Sequence, residues 1–483
     1  ATLADAQGWL LDQQGEVRIA LVVKENKRSI FYRDNAQTPW RKLRESDVYQ
    51  AKGGDFSPAF FDAKGNFYVH APYKGTEAVY RYDLAKDAID GAPLANTPGY
   101  DFSGIPVQGA DKLLGMRFET DASGTIWFDK PLDAIQSRID ALLPATVNTI
   151  SVAKRPATPF VLVTASSDVQ PASVLIFNTE SGQLMPVGNS HPAIDPLKMS
   201  HKRLVRYQAR DGLSIPAYLT LPKGHSGKNL PMVVMVHGGP WVRGGHWNWN
   251  RETQFLASRG YAVLEPDYRG STGYGHAHYK AGWKQWGLKM QDDIADGARW
   301  AIANGYADPQ RICIAGASYG GYSTLMGLLN DPDLFKCGIN WVGVTDINMM
   351  RDGHWTGDSD LADSYKKSGM KDMVGDAVLD AAQLKATSPL QQAARITQPL
   401  LLGYGGADHR VPASQGRLSY PAVSKTNTHV AWVLYSAEGH GWALQKNNVD
   451  FWSRAEKLLA RSIGAASTAA PAGAPAPAPA TAP

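Results

Sequence analysis

Cysteine is scarce in this chain, with two in 483 residues. Two thiols cannot build a disulfide framework or a four-cysteine zinc site. Long apolar runs are lacking too. No uncharged apolar stretch reaches the ~18 residues needed to span a bilayer, so no membrane insertion is expected. Neither sign of charge dominates: Lys+Arg number 49 and Asp+Glu 45, a net charge of +4. No Lys/Arg run is dense enough to track a phosphate backbone, which argues against a nucleic-acid partner. The first residue is Ala rather than Met, and no signal-peptide core follows. Either a leader has been removed or the chain is a fragment. A removed leader tilts the reading toward periplasm or secretion over cytoplasm, although truncation explains the missing Met equally well.

Glycine, proline and aromatics are plentiful instead: 47 Gly, 30 Pro, 14 Trp and 20 Tyr. Many turns and many aromatics point to a β-rich part. From Ala465 to Pro483 the chain is almost entirely Ala and Pro, which reads as a disordered, partly polyproline spacer.

The remainder has two grammars. Residues 1–194 read as β. Short alternating runs such as Val17–Val23, Asn66–His70 and Ala78–Tyr82 are separated by turn signals. An Asp-x-x-Gly element followed by a strand stands at Asp12–Gly15 and, more loosely, at Asp62–Gly65 and Asp121–Gly124. This spacing predicts about four propeller-like blades, with a generic β-sheet as the alternative. From about Leu204 apolar runs alternate with helical patterns. Strands are predicted at Met232–Val236, Tyr261–Leu264, Arg311–Ala315, Ile339–Val342, Pro399–Gly403 and Val430–Tyr435. Helices are predicted at about Leu288–Asn304 and Val449–Ile463. Apolar strands alternating with helices predict an α/β fold, a doubly wound and mostly parallel sheet over residues 195–464.

One constellation carries chemistry. Gly316-Ala317-Ser318-Tyr319-Gly320-Gly321 lies between a strand and a helical pattern, the setting of a nucleophile elbow. A serine needs a base. His440 stands between two glycines after the strand Val430–Tyr435, and Asp408 follows the strand Pro399–Gly403. The order Ser318, Asp408, His440 is that of an α/β-hydrolase, and all three fall at C-terminal strand ends. The amide of Tyr319 is one candidate oxyanion donor. The second is sought in His237-Gly238-Gly239-Pro240, after the strand Met232–Val236, with His237 itself read as structural.

With these residues in place, the C-terminal half resembles the prolyl oligopeptidase family of serine peptidases, nearest to its acylaminoacyl-peptidase and dipeptidyl-aminopeptidase branch. The matching stretches are His237–Trp241, Asp267–Gly275, Gly316–Tyr322, Asp408–Pro412 and Glu438–Gly441, in family order. The resemblance implies Ser318 as nucleophile, Asp408 and His440 as its partners, and Tyr319 and Gly239 as oxyanion donors. It also implies Arg410 as a contact to the substrate backbone, and no cofactor. Family members carry a propeller, usually of seven blades, before the hydrolase domain. Residues 1–194 look like the later part of one, with Pro156–Asp211 as the last blade and the return. An incomplete propeller would expose strand edges and leave a homo-oligomer open. The paired glutamates that dipeptidyl-peptidases use for a free N-terminus are not found.

Other features read as bland. Gly270–Gly275 is a site-shaping loop rather than a phosphate loop. His246, His276 and His278 are loop histidines rather than a metal site. Cys313 and Cys337 are expected as two buried thiols, with a disulfide as the alternative. Trp241 is a candidate substrate contact; it, Trp247 and Trp249 could line the acyl pocket or fill the core beside it. Three functions compete. They are a serine peptidase on short peptides, an esterase on the same fold, and a non-catalytic binding protein using the propeller. The β-rich partner and the Arg410 motif favour peptides.

Overall fold

The computed structural model describes residues 3, 6–48, 55–155, 158–351 and 359–464. The Ala/Pro tail expected from 465 to 483 lies outside the described residues.

Residues 6–189 build four consecutive antiparallel sheets, of four, four, three and four strands. Within each, sequence neighbours are sheet neighbours, so the expected number of blades is found. The alternating runs explain the pairing. In Val17–Lys24, Ile19, Ala20 and Val22 are buried. Blades pack through their faces. Ile19, Ile30 and Tyr32 of the first share a core with Phe61, Phe67 and Val69 of the second. Phe60 and Val79 of the second meet Met116 of the third.

The Asp-x-x-Gly repeat is a real turn in two blades. Asp12 Oδ1 accepts from the amides of Gln14 and Glu16 at 2.9 and 3.0 Å, and Asp62 Oδ1 accepts from those of Lys64 and Asn66 at 2.9 Å each. Gly15 and Gly65 supply the positive φ that closes each turn. The third copy differs. Asp121 sits in the second hairpin of its blade, and its carboxylate accepts from Tyr100 Oη instead.

Two expectations for this half need correction. Helix α1 (Lys130–Leu142) interrupts the β pattern. Asp129 caps it by accepting from the Leu132 amide, and Ile139 buries against Ile150, Val163 and Phe177. The last blade starts at Val147, not Pro156.

An eight-stranded sheet follows: β1 Lys202–Gln208, β2 Ser214–Thr220, β3 Leu230–Val236, β4 Ala262–Pro266, β5 Ala307–Ala317, β6 Cys337–Trp341, β7 Leu400–Gly405 and β8 Val430–Tyr435. Its order is β1-β2-β4-β3-β5-β6-β7-β8. The two N-terminal strands are antiparallel additions that the sequence reading missed; the six strands β3 to β8 run parallel. Helices cover both faces. On one face lie α2 (Lys289–Ala303), α3 (Tyr319–Asn330) and α4 (Ser414–Ser424). Leu256 and helix α5 (Gln445–Ile463) lie on the other. Burial on both faces is why these strands read as continuous apolar runs.

Cys313 and Cys337 are register partners on adjacent strands, with Cα atoms 4.8 Å apart, and they form a disulfide. The expectation of two free thiols is therefore overturned: parallel pairing puts the two side chains on one sheet face, within bonding reach.

The blades lean on the sheet through polar contacts. Asp101 Oδ2 accepts from the amides of Gly273 and Gly275 at 3.1 and 3.0 Å, and Asp168 Oδ2 accepts from Lys202 N at 2.7 Å.

Candidate active site

The C-terminal edge of the parallel strands gathers the chemistry-bearing residues. Ser318 links β5 to α3 with φ +59° and ψ −120°. A non-glycine residue with positive φ is strained, and the strain lifts its side chain clear of the sheet. Packing forces the flanking glycines. A Cβ on Gly316 would stand 2.5 Å from the Gly320 carbonyl carbon, and one on Gly320 would overlap the Val236 carbonyl oxygen. The Ser318 amide is anchored to the Trp341 carbonyl at 3.1 Å.

His440 donates Nδ1–H to Asp408 Oδ2 at 2.8 Å. The other carboxylate oxygen of Asp408 accepts from the amides of Arg410 and Val411 at 2.8 and 2.9 Å. Asp408 is thus buried, fully engaged and aimed at one imidazole nitrogen. That bond fixes the tautomer in which Nε2 accepts a proton.

The His440 loop is held from behind. Glu438 is 1% exposed and accepts from the amides of Ala443 and Leu444 at 2.9 Å each and from Asn447 Nδ2 at 2.7 Å. Burial by itself would raise its pKa, but these hydrogen bonds outweigh it and hold the carboxyl below its ordinary value. Its carbonyl accepts from the Ala407 amide at 2.9 Å, which ties the histidine loop to the aspartate loop.

Ser318 and His440 face one cavity of about 530 Å³. Gly238, Gly239, Tyr319, Trp241 and Arg410 also line it. Gly239 has φ +114°, which favours glycine, and a Cβ on Gly238 would stand 3.2 Å from Ser318 Cβ, so this loop approaches the elbow closely. The rest of the wall is apolar: Val242, Trp286, Val344, Met350, Leu361 and Tyr365. Trp286 meets Tyr319 edge-on at 4.7 Å between ring centroids. Sequence reasoning missed these lining residues. Several lie between β6 and β7, where no clear periodicity signals their role.

The remaining candidates separate cleanly. His237 lies behind the cavity, stacked on Tyr268 at 4.4 Å. Burial pushes its imidazole pKa down and Asp267 offsets this only in part, so it is a neutral structural residue. Trp241 lines the cavity. Trp247 and Trp249 do not; their ring N–H groups go to the Lys202 carbonyl and the Met199 sulfur. The Asp267–Gly275 stretch is a polar scaffold. Asp267 Oδ1 accepts from the amides of Gly244 and Gly245 at 2.9 Å each, and Arg269 joins the buried Asp293 to Asp211. The three histidines do not converge: His278 Nε2 donates to backbone carbonyls, while His246 pairs with Glu119 at 2.7 Å. Among the described residues no group of three His, Cys, Asp or Glu side chains is placed to hold a metal ion.

Residues 247–465 match the family model described as the prolyl oligopeptidase family. Over that stretch the hydrolase half is similar to this family of serine peptidases. It is 29% identical over 488 residues to dipeptidyl aminopeptidase BIII of Pseudoxanthomonas mexicana, an overlap of 95% of this chain and 67% of that protein. To dipeptidyl peptidase family member 6 of Caenorhabditis elegans it is 30% identical over 330 residues, covering 63% of this chain and 43% of that one. Among solved structures, a puromycin hydrolase aligns with a TM-score of 0.75 at 21% identity, covering 96% of this chain and 70% of that one. The same blades-then-hydrolase architecture is shared across this alignment. The chain thus spans about two thirds of its first curated relative and less than half of the second.

Proposed function

We propose that the chain is a peptidase that releases short N-terminal pieces, dipeptides in the first instance, from small peptides. The division of labour follows the two units, blades at 1–194 and hydrolase at 195–464. Ser318 attacks the peptide carbonyl while His440 Nε2 takes its proton, with Asp408 steadying the imidazolium. The amides of Tyr319 and Gly239 receive the developing oxyanion. His440 then protonates the leaving amine, and water, deprotonated by the same imidazole, cleaves the acyl-enzyme. The apolar wall of Trp241, Val344 and Tyr365 suits an apolar side chain next to the scissile bond, and Arg410 lies where it can reach the peptide backbone. The observation that carries the reading is the convergence of a strained serine and an aspartate-bound histidine on one cavity. The exopeptidase reading rests on the names of the two curated relatives.

The test is mass spectrometry of products from a peptide panel. Each peptide carries a free or an acetylated N-terminus, beside a simple aryl ester, with wild type and Ser318→Ala. Dipeptide release from free N-termini, lost by about 10⁶-fold in Ser318→Ala, is expected. Preference for acetylated N-termini would replace the dipeptidyl reading with an acylaminoacyl one. Ester cleavage without peptide cleavage would move the function to an esterase.

A further inference from the structure

One acidic side chain, bonded to the arginine that lines the cavity, has no role in the scheme above. Asp360 lies in the connection between β6 and β7, and its two carboxylate oxygens receive two N–H groups of Arg410. Oδ1 takes Nε–H, and Oδ2 takes Nη2–H at 2.9 Å. This is the fork-to-fork geometry that fixes a guanidinium in a plane. The backbone of Arg410 is already fixed, because its amide donates to Asp408 at 2.8 Å. Main chain and side chain of one arginine are therefore pinned to two different aspartates, one bonded to His440 and one in the connection after β6.

Both members of the outer pair are solvent-accessible, with side chains 43% and 52% exposed. An exposed pair adds little to stability. Its effect is to orient the arginine that lines the cavity. The pair also sets local charge. The hydrogen bonds from Arg410 hold the Asp360 carboxyl below its ordinary range, and the field of His440 contributes in the same direction. His440 is bonded to Asp408 of the loop after β7, and Arg410 and Ser318 share its cavity; Asp360 reaches Arg410 from the connection after β6. Glu438, on its own loop, is turned to the start of α5.

We propose that Asp360 is a positioning residue for the hydrolysis: it orients Arg410 toward the substrate backbone and offsets the arginine's charge beside His440. The inference rests on the peptidase reading above. One consequence follows: a substrate with a second backbone carbonyl beyond the scissile one depends on Asp360, whereas an aryl ester of a simple acid does not.

The experiment compares Asp360→Asn and Asp360→Glu with wild type, after active-site titration with a serine-reactive phosphonate. For peptides, Asp360→Asn is expected to raise KM about tenfold, the worth of a charge-assisted hydrogen bond, with little change in kcat. KM for the aryl ester should stay put, and Asp360→Glu should restore most of the peptide KM. The split between peptide KM and ester KM, with rescue by Asp360→Glu, is a pattern that loosened packing would not produce. Equal effects on peptide and ester, or an unmoved peptide KM, overturn the proposal while leaving a labelled, active serine peptidase. An unlabelled wild type overturns the peptidase reading and this proposal together.

Discussion

The blades and the hydrolase sheet use the same local material to opposite ends. In the blades each strand pairs with its sequence neighbour, and each sheet is closed within a few tens of residues. In the hydrolase sheet, β3 lies between β4 and β5, and the parallel pairs need crossovers through helices. The consequence is chemical. A meander brings together residues already close in the chain, and its loops are short. A parallel sheet aligns the ends of strands far apart in sequence, so loops after β3, β5, β7 and β8 meet at one edge. Gly239, Ser318, Asp408 and His440 come from those four loops. The blades supply local closure and a docking face. They also leave Trp9, Leu11, Phe160 and Leu162 from 41 to 48% exposed, whereas the central hydrolase strands are buried on both faces.

The comparison says that chemistry resides at the sheet edge and can be removed there without loosening the fold. Asp408→Asn is the hardest test. The isosteric amide retains an oxygen for the amides of Arg410 and Val411 but no longer fixes the imidazole tautomer. A fall in kcat of about 10⁴-fold is expected, with the thermal midpoint close to wild type. A loss under tenfold would remove Asp408 from the site. Next in size is the disulfide. Cys313 and Cys337 close a loop of sequence separation 24 that carries Ser318 and the whole of α3. Replacing both with alanine should cost the hydrolase half about 3 kcal/mol in denaturant unfolding, and leave the blade transition where it was. A single shared shift in both transitions would show that the two regions unfold as one.

How much of this was legible in sequence follows from the same contrast. Six of the eight sheet strands were found because burial on both faces makes them apolar runs. β1 and β2 were missed: Lys202–Gln208 carries Lys202, Arg203 and Arg206, as a strand near an edge can. The elbow was legible because steric need leaves a signature, Gly316 and Gly320 about a strained serine. Asp408 and His440 were legible because glycines and strand ends flank them. Asp360, Trp286 and Met350 were not. Trp286 and Met350 line the cavity and Asp360 holds Arg410, all three from connections whose course depends on the folded sheet beneath them, and no spacing rule places them. Helix α1 was hidden for a different reason. Leu132, Ile135, Ile139 and Leu142 recur at helical spacing, but this single short helix stands among strands on both sides, and the surrounding β pattern was extended over it. Cysteine pairing was beyond reach as well, since it depends on a register between β5 and β6 that only the structure fixes.

The smallest predicted effect probes the blade side. Asp62 is 5% exposed and accepts four hydrogen bonds, from the amides of Lys64 and Asn66, from Asn66 Nδ2 at 2.8 Å and from Tyr68 Oη at 3.2 Å. Alanine there strips the turn between the first two strands of the second blade of its acceptor, and Phe61 and Phe67, which flank that turn, lose their fixed register. A loss of about 2 kcal/mol in blade stability is expected, because part of the freed turn can take water instead. The change should leave kcat/KM for a short peptide within about twofold of wild type, since no blade residue among the described ones lines the Ser318 cavity. Measuring blade unfolding and peptide turnover on the same Asp62→Ala preparation decides the matter. If turnover falls in step with blade stability, the blades help shape the site through contacts such as Asp101 with Gly273 and Gly275, and the separation argued from topology fails.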